Sequence, residues 1–200
     1  MYHDKRFLTK PPVFPCEVTP GRRDLLSCRT TLLEPANNTM SIITLEPMTQ
    51  PQFADFMEAI LPAYVTERAA ADHVTPDAAE RFARDQHARL LTDGPLTPGH
   101  HFLRIVAASG HQTVGGVWFW IDDDNKQAFL YNITVYAQHR RQGFATAALA
   151  FVEEQARAAG CATLGLNVFA TNEAAMALYR KLGFCAVTSY WNKPLRESRL

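Results

Sequence analysis

Several features that mark large protein classes are missing from this chain. Its four cysteines, Cys16, Cys28, Cys161 and Cys185, form no C-x-x-C pair, and no Cys and His residues cluster at zinc-ligand spacing. That excludes a disulfide scaffold and a zinc module, and makes reduced thiols and no metal the expectation. No apolar run reaches the length of a membrane span, and Lys5 and Arg6 are followed by no secretory-type apolar core. The expected compartment is therefore the cytoplasm. Excess charge of one sign is also missing: 20 basic and 20 acidic side chains leave a formal net charge of +0. Nothing in the overall field favours nucleic acid or an anionic membrane, so neither is expected as a partner. There is no G-x-x-x-x-G-K-[ST] loop, nor a G-x-G-x-x-G turn with an acidic residue about twenty positions on.

What is present suits a folded chain. Two hundred residues, 47% of them hydrophobic, are enough to bury a core, and one catalytic-size domain is the default. Residues 1–40 contain Pro11, Pro12, Pro15, Pro20 and Pro35 with no sustained period, and read as an irregular arm. Two accounts of it stay open: an upstream extension before a start at Met40, or an arm that recruits a protein partner. Residues 41–200 carry the patterned domain.

Residues 42–46 form a β-branched run that predicts a strand, and Pro51 suits the first turn of a helix. Phe53, Phe56, Met57, Ile60, Leu61 and Tyr64 recur at helical spacing, with Pro62 expected to kink or shorten that helix. Thr75-Pro76-Asp77 is an N-cap with proline at the first position, opening a second helix to about Leu91. Gly94, Pro95, Pro98 and Gly99 follow. Residues 102–107, 113–121 and 128–136 predict three antiparallel strands. After Gly143 the period turns helical through Ala145, Leu149, Val152, Ala156 and Ala159, and Gly160 stops it. Strand 163–169, helix 172–182 and strand 184–191 complete the order β-α-α-β-β-β-α-β-α-β. One crossover joins the third central strand to the next.

The most informative stretch lies between the last of those central strands and the helix after it: Arg140, Arg141, Gln142, Gly143, Phe144, Ala145 and Thr146. A helix N-terminus offers unpaired N–H groups and partial positive charge, which suits phosphate. Gly143 and Ala145 keep that approach clear, and two arginines add charge. Taken alone, the same residues also fit ordinary strand-to-helix punctuation.

Arg140-x-x-Gly143-x-Ala145 resembles the [RQ]-x-x-G-x-[GA] acetyl-coenzyme A motif of the GNAT N-acetyltransferase superfamily. Asn172-x-x-Ala175-x-x-Leu178-Tyr179-x-x-x-Gly183-Phe184, with residues 165–169 before it, resembles that family's second conserved segment. The likeness runs in element order from about residue 42 to 195 and is sharp from 131 to 184. It implies an α+β class (the α/β three-layer GNAT fold), a mainly antiparallel mixed sheet flanked by helices, with strands splayed at the acetyl-CoA site. It also implies acetyl transfer from acetyl-CoA, as co-substrate, to a primary amine of a small molecule or peptide by direct attack in a ternary complex. A non-catalytic coenzyme A-binding sensor or partner module on the same fold is the alternative, and a homodimer is compatible with either.

The resemblance further implies that the pantetheine arm pairs with the backbone of Ile133, Thr134 and Val135. Residues 140–146 would hold the pyrophosphate, Asn172 would contact the arm, and Tyr179 would act as general acid for the leaving thiolate. Asn172 equally suits a helix N-cap, and Tyr179 a core aromatic. Asn172 and Tyr179 are two turns apart on one helical face, roughly 10 Å.

An ammonium with pKa near 10.4 must lose a proton before it can attack. Relatives often carry a carboxylate on the strand before the cradle; here Asn132 and Thr134 flank Ile133, and neither is a base. A carboxylate elsewhere, at Glu58, Glu67 or Asp122, a water chain, or an acceptor of low pKa all remain. His100 and His101 suit either a structural role or the acceptor side. Trp118, Phe119 and Trp120 alternate across a strand between core and cleft, and Asp122, Asp123 and Asp124 read as a solvated turn or a lure for cations.

Overall fold

A computed structural model describes residues 42–193 and 195; the expectations about the first forty residues fall outside that range. Five strands form one sheet in chain order: β1 (Ile43–Pro47), β2 (His100–Ala107), β3 (Thr113–Asp122), β4 (Gln127–Val135) and β5 (Leu164–Leu166). The first three pairings are antiparallel, and β4 with β5 is parallel. A parallel pair needs a crossover, supplied here by α3 (Phe144–Ala158).

Helices cover both faces. On one lie α1 (Gln50–Asp72) and α2 (Pro76–Leu90). Thr75 starts α2 by accepting the Ala78 N–H at 3.3 Å on its hydroxyl, the cap expected of that residue. Phe56 and Ile60 of α1 bury themselves against Phe102 and Trp118 of the sheet. The fit is close: a Cβ on Gly116 would stand 2.7 Å from the Phe56 ring, so glycine is what lets α1 settle on β3. On the other face lie α3 and α4 (Glu173–Lys181). Leu149 and Val152 of α3 pack on Val117, Phe119 and Leu130, with Leu178 and Leu182 beside them. Each large side chain removed from water there contributes about 1.5–3 kcal/mol.

Three expectations need correction. Pro62 does not shorten α1, which runs 23 residues through it; Leu61 and Val65 are buried on either side of the lost hydrogen bond and hold the helix together. Strand 163–169 contracts to the three residues of β5, since β4 offers a ladder only at Ala128, Phe129 and Leu130. Residues 184–193 form no strand. Among the described residues no strand pairs with this segment: Val187 and Trp191 are exposed, and Asn192 instead donates its side-chain amide to the Ala71 carbonyl of α1.

Candidate active site

A slot opens between β4 and β5. Their pairing ends at Leu130↔Leu166, and the next residue of β4 is a bulge: Phe119 pairs with Leu130 and Trp118 with Asn132, leaving Tyr131 as the extra residue. A bulge bends its strand and increases twist, which carries residues 132–135 away from β5. Those residues keep their β3 partners but, among the described residues, pair with no strand on the β5 side. Their backbone is the ready-made edge of a sheet. Ile133 and Val135 pack into the core beneath α3, whereas Asn132 and Thr134 pair with Trp118 and Gly116 and so face α1. The Thr134 hydroxyl donates to the side-chain amide oxygen Oδ1 of Asn132 at 2.8 Å, consistent with neither acting as a base.

The open edge runs directly into the cradle. After a tight helical turn at Ala137–His139 the chain takes Arg141 into the left-handed region at φ 64°, and Gly143 at φ 86°. Left-handed arginine costs of order 1 kcal/mol, and such conformations gather at binding sites. Gly143 is the N-cap of α3 and brings no side-chain cap. The first ladder bond is Ala147 N–H to Gly143 carbonyl at 3.0 Å, so the N–H groups of Phe144, Ala145 and Thr146 lie ahead of it. An uncapped helix start beside an αL turn has the chemistry that suits an anion. Among the described residues a Cβ on Gly143 would meet only Ile42, at 3.5 Å, so they leave the approach clear and fit a pyrophosphate. Arg141 and Gln142 are exposed, while the Phe144 side chain is buried and roots the helix in the core. Arg140 donates from Nε to the Val135 carbonyl at 3.1 Å, tying cradle to strand.

Asn172 and Tyr179 sit beyond β5, on α4. Asn172 accepts the Ala175 N–H at 3.1 Å, so it is a true N-cap, and its Nδ2 has no partner among the described residues. Tyr179 is half-buried against the core that contains Leu130 and Leu149, with its ring edge-on to Phe184 at 5.6 Å. Burial raises its hydroxyl above the ordinary tyrosine value, which keeps it a proton donor at neutral pH.

The three carboxylates separate. Glu58 is held bidentate by Arg84 at 2.8 and 3.1 Å, and that guanidinium lowers its pKa. Asp122 accepts the Asp124 and Asn125 N–H groups, each at 3.1 Å, and the Asn125 amide at 2.7 Å. It shapes the β3–β4 turn at the end of the sheet away from the cradle. Glu67 of α1 accepts a hydrogen bond from Thr171 of the β5–α4 loop, across the mouth of the slot. His100 is structural: its Nδ1 accepts the Trp118 indole N–H at 3.0 Å, and desolvation pushes its pKa down to about 4. His101 stacks on Phe119 at 4.8 Å. Tyr131 was not singled out by sequence reasoning. It stacks on Trp118 at 4.5 Å, and burial raises its hydroxyl to about 12; no spacing in the sequence signals a bulge.

A profile of the Acetyltransferase (GNAT) family matches residues 61–184. The chain is similar to the uncharacterized N-acetyltransferase YycN of Bacillus subtilis, 32% identical over 144 residues that make up 71% of this chain and 92% of the relative. The crystal structure of YycN superposes with a TM-score of 0.70 at 30% identity, covering 78% of this chain and 99% of that one. A shorter likeness, 44% identical over 62 residues (31% of this chain, 42% of the relative), is to the ribosomal protein bS18-alanine N-acetyltransferase of Escherichia coli. An aminoglycoside N-acetyltransferase solved with CoA shares the fold, with a TM-score of 0.51 at 16% identity over 77% of this chain and 95% of that one.

Proposed function

The chain belongs to the acetyltransferase (GNAT) family and is by that membership an N-acetyltransferase; on this premise we propose that it acetylates a primary amine of a small molecule or peptide by direct attack in a ternary complex with acetyl-CoA. The observation that carries this reading is the continuity of the open β4 edge, residues 132–135, with the uncapped start of α3 at Gly143. An extended amide-bearing arm ending in a pyrophosphate matches that pair of surfaces. In this reading the backbone of Ile133, Thr134 and Val135 hydrogen-bonds the arm as an added strand. The N–H groups of residues 144–146, with Arg141 and Gln142 beside them, hold the phosphates, and Arg140 fixes the angle between the two. Asn172 offers its free Nδ2 to the arm.

Bound acetyl-CoA supplies an activated thioester. Tyr179, kept protonated by burial, gives its proton to the departing sulfur as general acid, while the ammonium gives up two protons in becoming the amide, one restoring the tyrosine hydroxyl and one passing to water. The amine enters from the α1 and α2 side, which Asn132 and Thr134 face. Two related N-acetyltransferases, one named for an alanine of a ribosomal protein and one for aminoglycosides, support a peptide N-terminus or a small-molecule amine as the acceptor class. In this reading residues 41–200 carry the reaction and residues 1–40 contribute no step.

The test is release of thiol from acetyl-CoA across amines, polyamines, amino acids and peptide N-termini. Turnover with at least one of them is the expected outcome. Tight CoA binding without turnover for any amine favours the sensor alternative.

A further inference from the structure

The slot has a second wall that the donor reading leaves unused. Helix α1 crosses its mouth on the face opposite α4, where Glu67 and the Thr171 hydroxyl join helix to loop. One turn earlier, Tyr64 meets Phe169 of the same loop at a ring-centroid distance of 5.9 Å. From Tyr64 the rings continue inward: His87 at 6.3 Å, then Trp118 at 5.7 Å from His87, then Tyr131 at 4.5 Å from Trp118. Tyr131 is the bulge residue at which the open edge of β4 begins. A carboxylate at the rim is thus connected by an aromatic series to the place where the sheet splits.

The cations near this wall are already paired, Arg68 with Asp72 and Arg84 with Glu58 and Glu80. Arg68, the residue after Glu67, is buried, ion-paired to Asp72 at 2.5 Å, placed over the Phe82 ring at 4.3 Å and donating to the Tyr64 hydroxyl at 3.4 Å, so its charge is committed within α1 and α2. The Tyr64 hydroxyl donates to Gln86 at 3.0 Å, which sets its ring. His87 has its pKa lowered by burial and by the Arg84 charge, so it is neutral at pH 7 and does not repel a cation. Aromatic faces and a carboxylate are the groups that hold an ammonium.

We propose that Glu67, with the partly exposed rings of Phe169 and Tyr64 beside it, forms the rim of the acceptor site and selects a positively charged primary amine. The inference rests on the acetyltransfer reading and specifies its acceptor. Glu67 binds the ammonium before deprotonation and sets its position; it is the one carboxylate of the three considered that is neither ion-paired nor built into a turn.

Calorimetry with putrescine as the probe, butanediol as its uncharged counterpart, and CoA as a separate titrant tests this on the full chain. Putrescine is expected to bind and butanediol not. Glu67→Gln, which preserves shape and an acceptor for Thr171, is expected to weaken putrescine about tenfold and raise the amine KM by a similar factor. The Kd for CoA and the KM for acetyl-CoA should stay unchanged. Thr171→Val, which loosens the carboxylate without removing it, should give a smaller loss. Equal binding of putrescine and butanediol, or an unaltered amine KM in Glu67→Gln, would overturn the proposal while CoA binding left the donor reading standing. Absence of CoA binding would sink the donor reading instead.

Discussion

Tyr179 and His100 show how burial sets what a titratable side chain can do. Tyr179 has its proton stabilised by desolvation, so it can donate at neutral pH and can lose the proton only in alkaline solution. Tyr179→Phe should lower kcat by about a hundredfold while leaving the KM for acetyl-CoA nearly unchanged, and the fall in kcat above pH 10 should vanish with the hydroxyl. A normal kcat in that variant would remove Tyr179 from the chemistry. His100 is shifted the other way, to about 4. Because the folded value lies below the ordinary 6.5, the unfolded chain takes up the proton first as pH falls. The stability is fully present above pH 6.5 and is lost between there and pH 4, amounting to about 3 kcal/mol. Thermal melts across that window should show the decline, and His100→Asn, which keeps an acceptor for Trp118 but cannot titrate there, should flatten it.

Among the elements, the β3–β4 pair has the least tolerance. A Cβ on Gly115 would lie 2.0 Å from the Thr134 carbonyl oxygen, on the stretch that forms the open edge. Gly115→Ala should cost roughly 1–3 kcal/mol and raise the KM for acetyl-CoA more than that for the amine, by steady-state kinetics. This level also shows why only part of the site was readable in the sequence. Gly143 between a strand and an apolar stripe marks a helix start, and Asn172 to Gly183 marks another, because caps and periods are local. The bulge at Tyr131 is not local: it arises from two strands fitting over Trp118, and with it comes the slot. Pro62 misled for the converse reason, since tertiary burial of Leu61 and Val65 outweighed a local rule. Glu67 could not be separated from Glu58 and Asp122 until Arg84 and the β3–β4 turn were seen to occupy the other two.

At the scale of the whole molecule, the proposed site draws its two sides from different layers, β4, α3 and α4 for the donor and α1, α2 and the β5–α4 loop for the acceptor. Ligand on the donor side alone should therefore stabilise the fold. At a hundred times its Kd, CoA should add about 2.7 kcal/mol, raising the Tm by roughly 5–10 °C for a domain of this size. Removing residues 1–39 should leave that shift intact, and losing it would assign the arm a part in the site. The unpaired run of β4 has one more consequence. The open side of residues 132–135, which the proposed reading gives to an amide-bearing arm, would take any other extended chain on the same terms. Starved of its donor, the protein therefore carries an adhesive seam, and its lifetime in solution at high concentration should lengthen when the donor is merely present, whether or not any amine is ever acetylated.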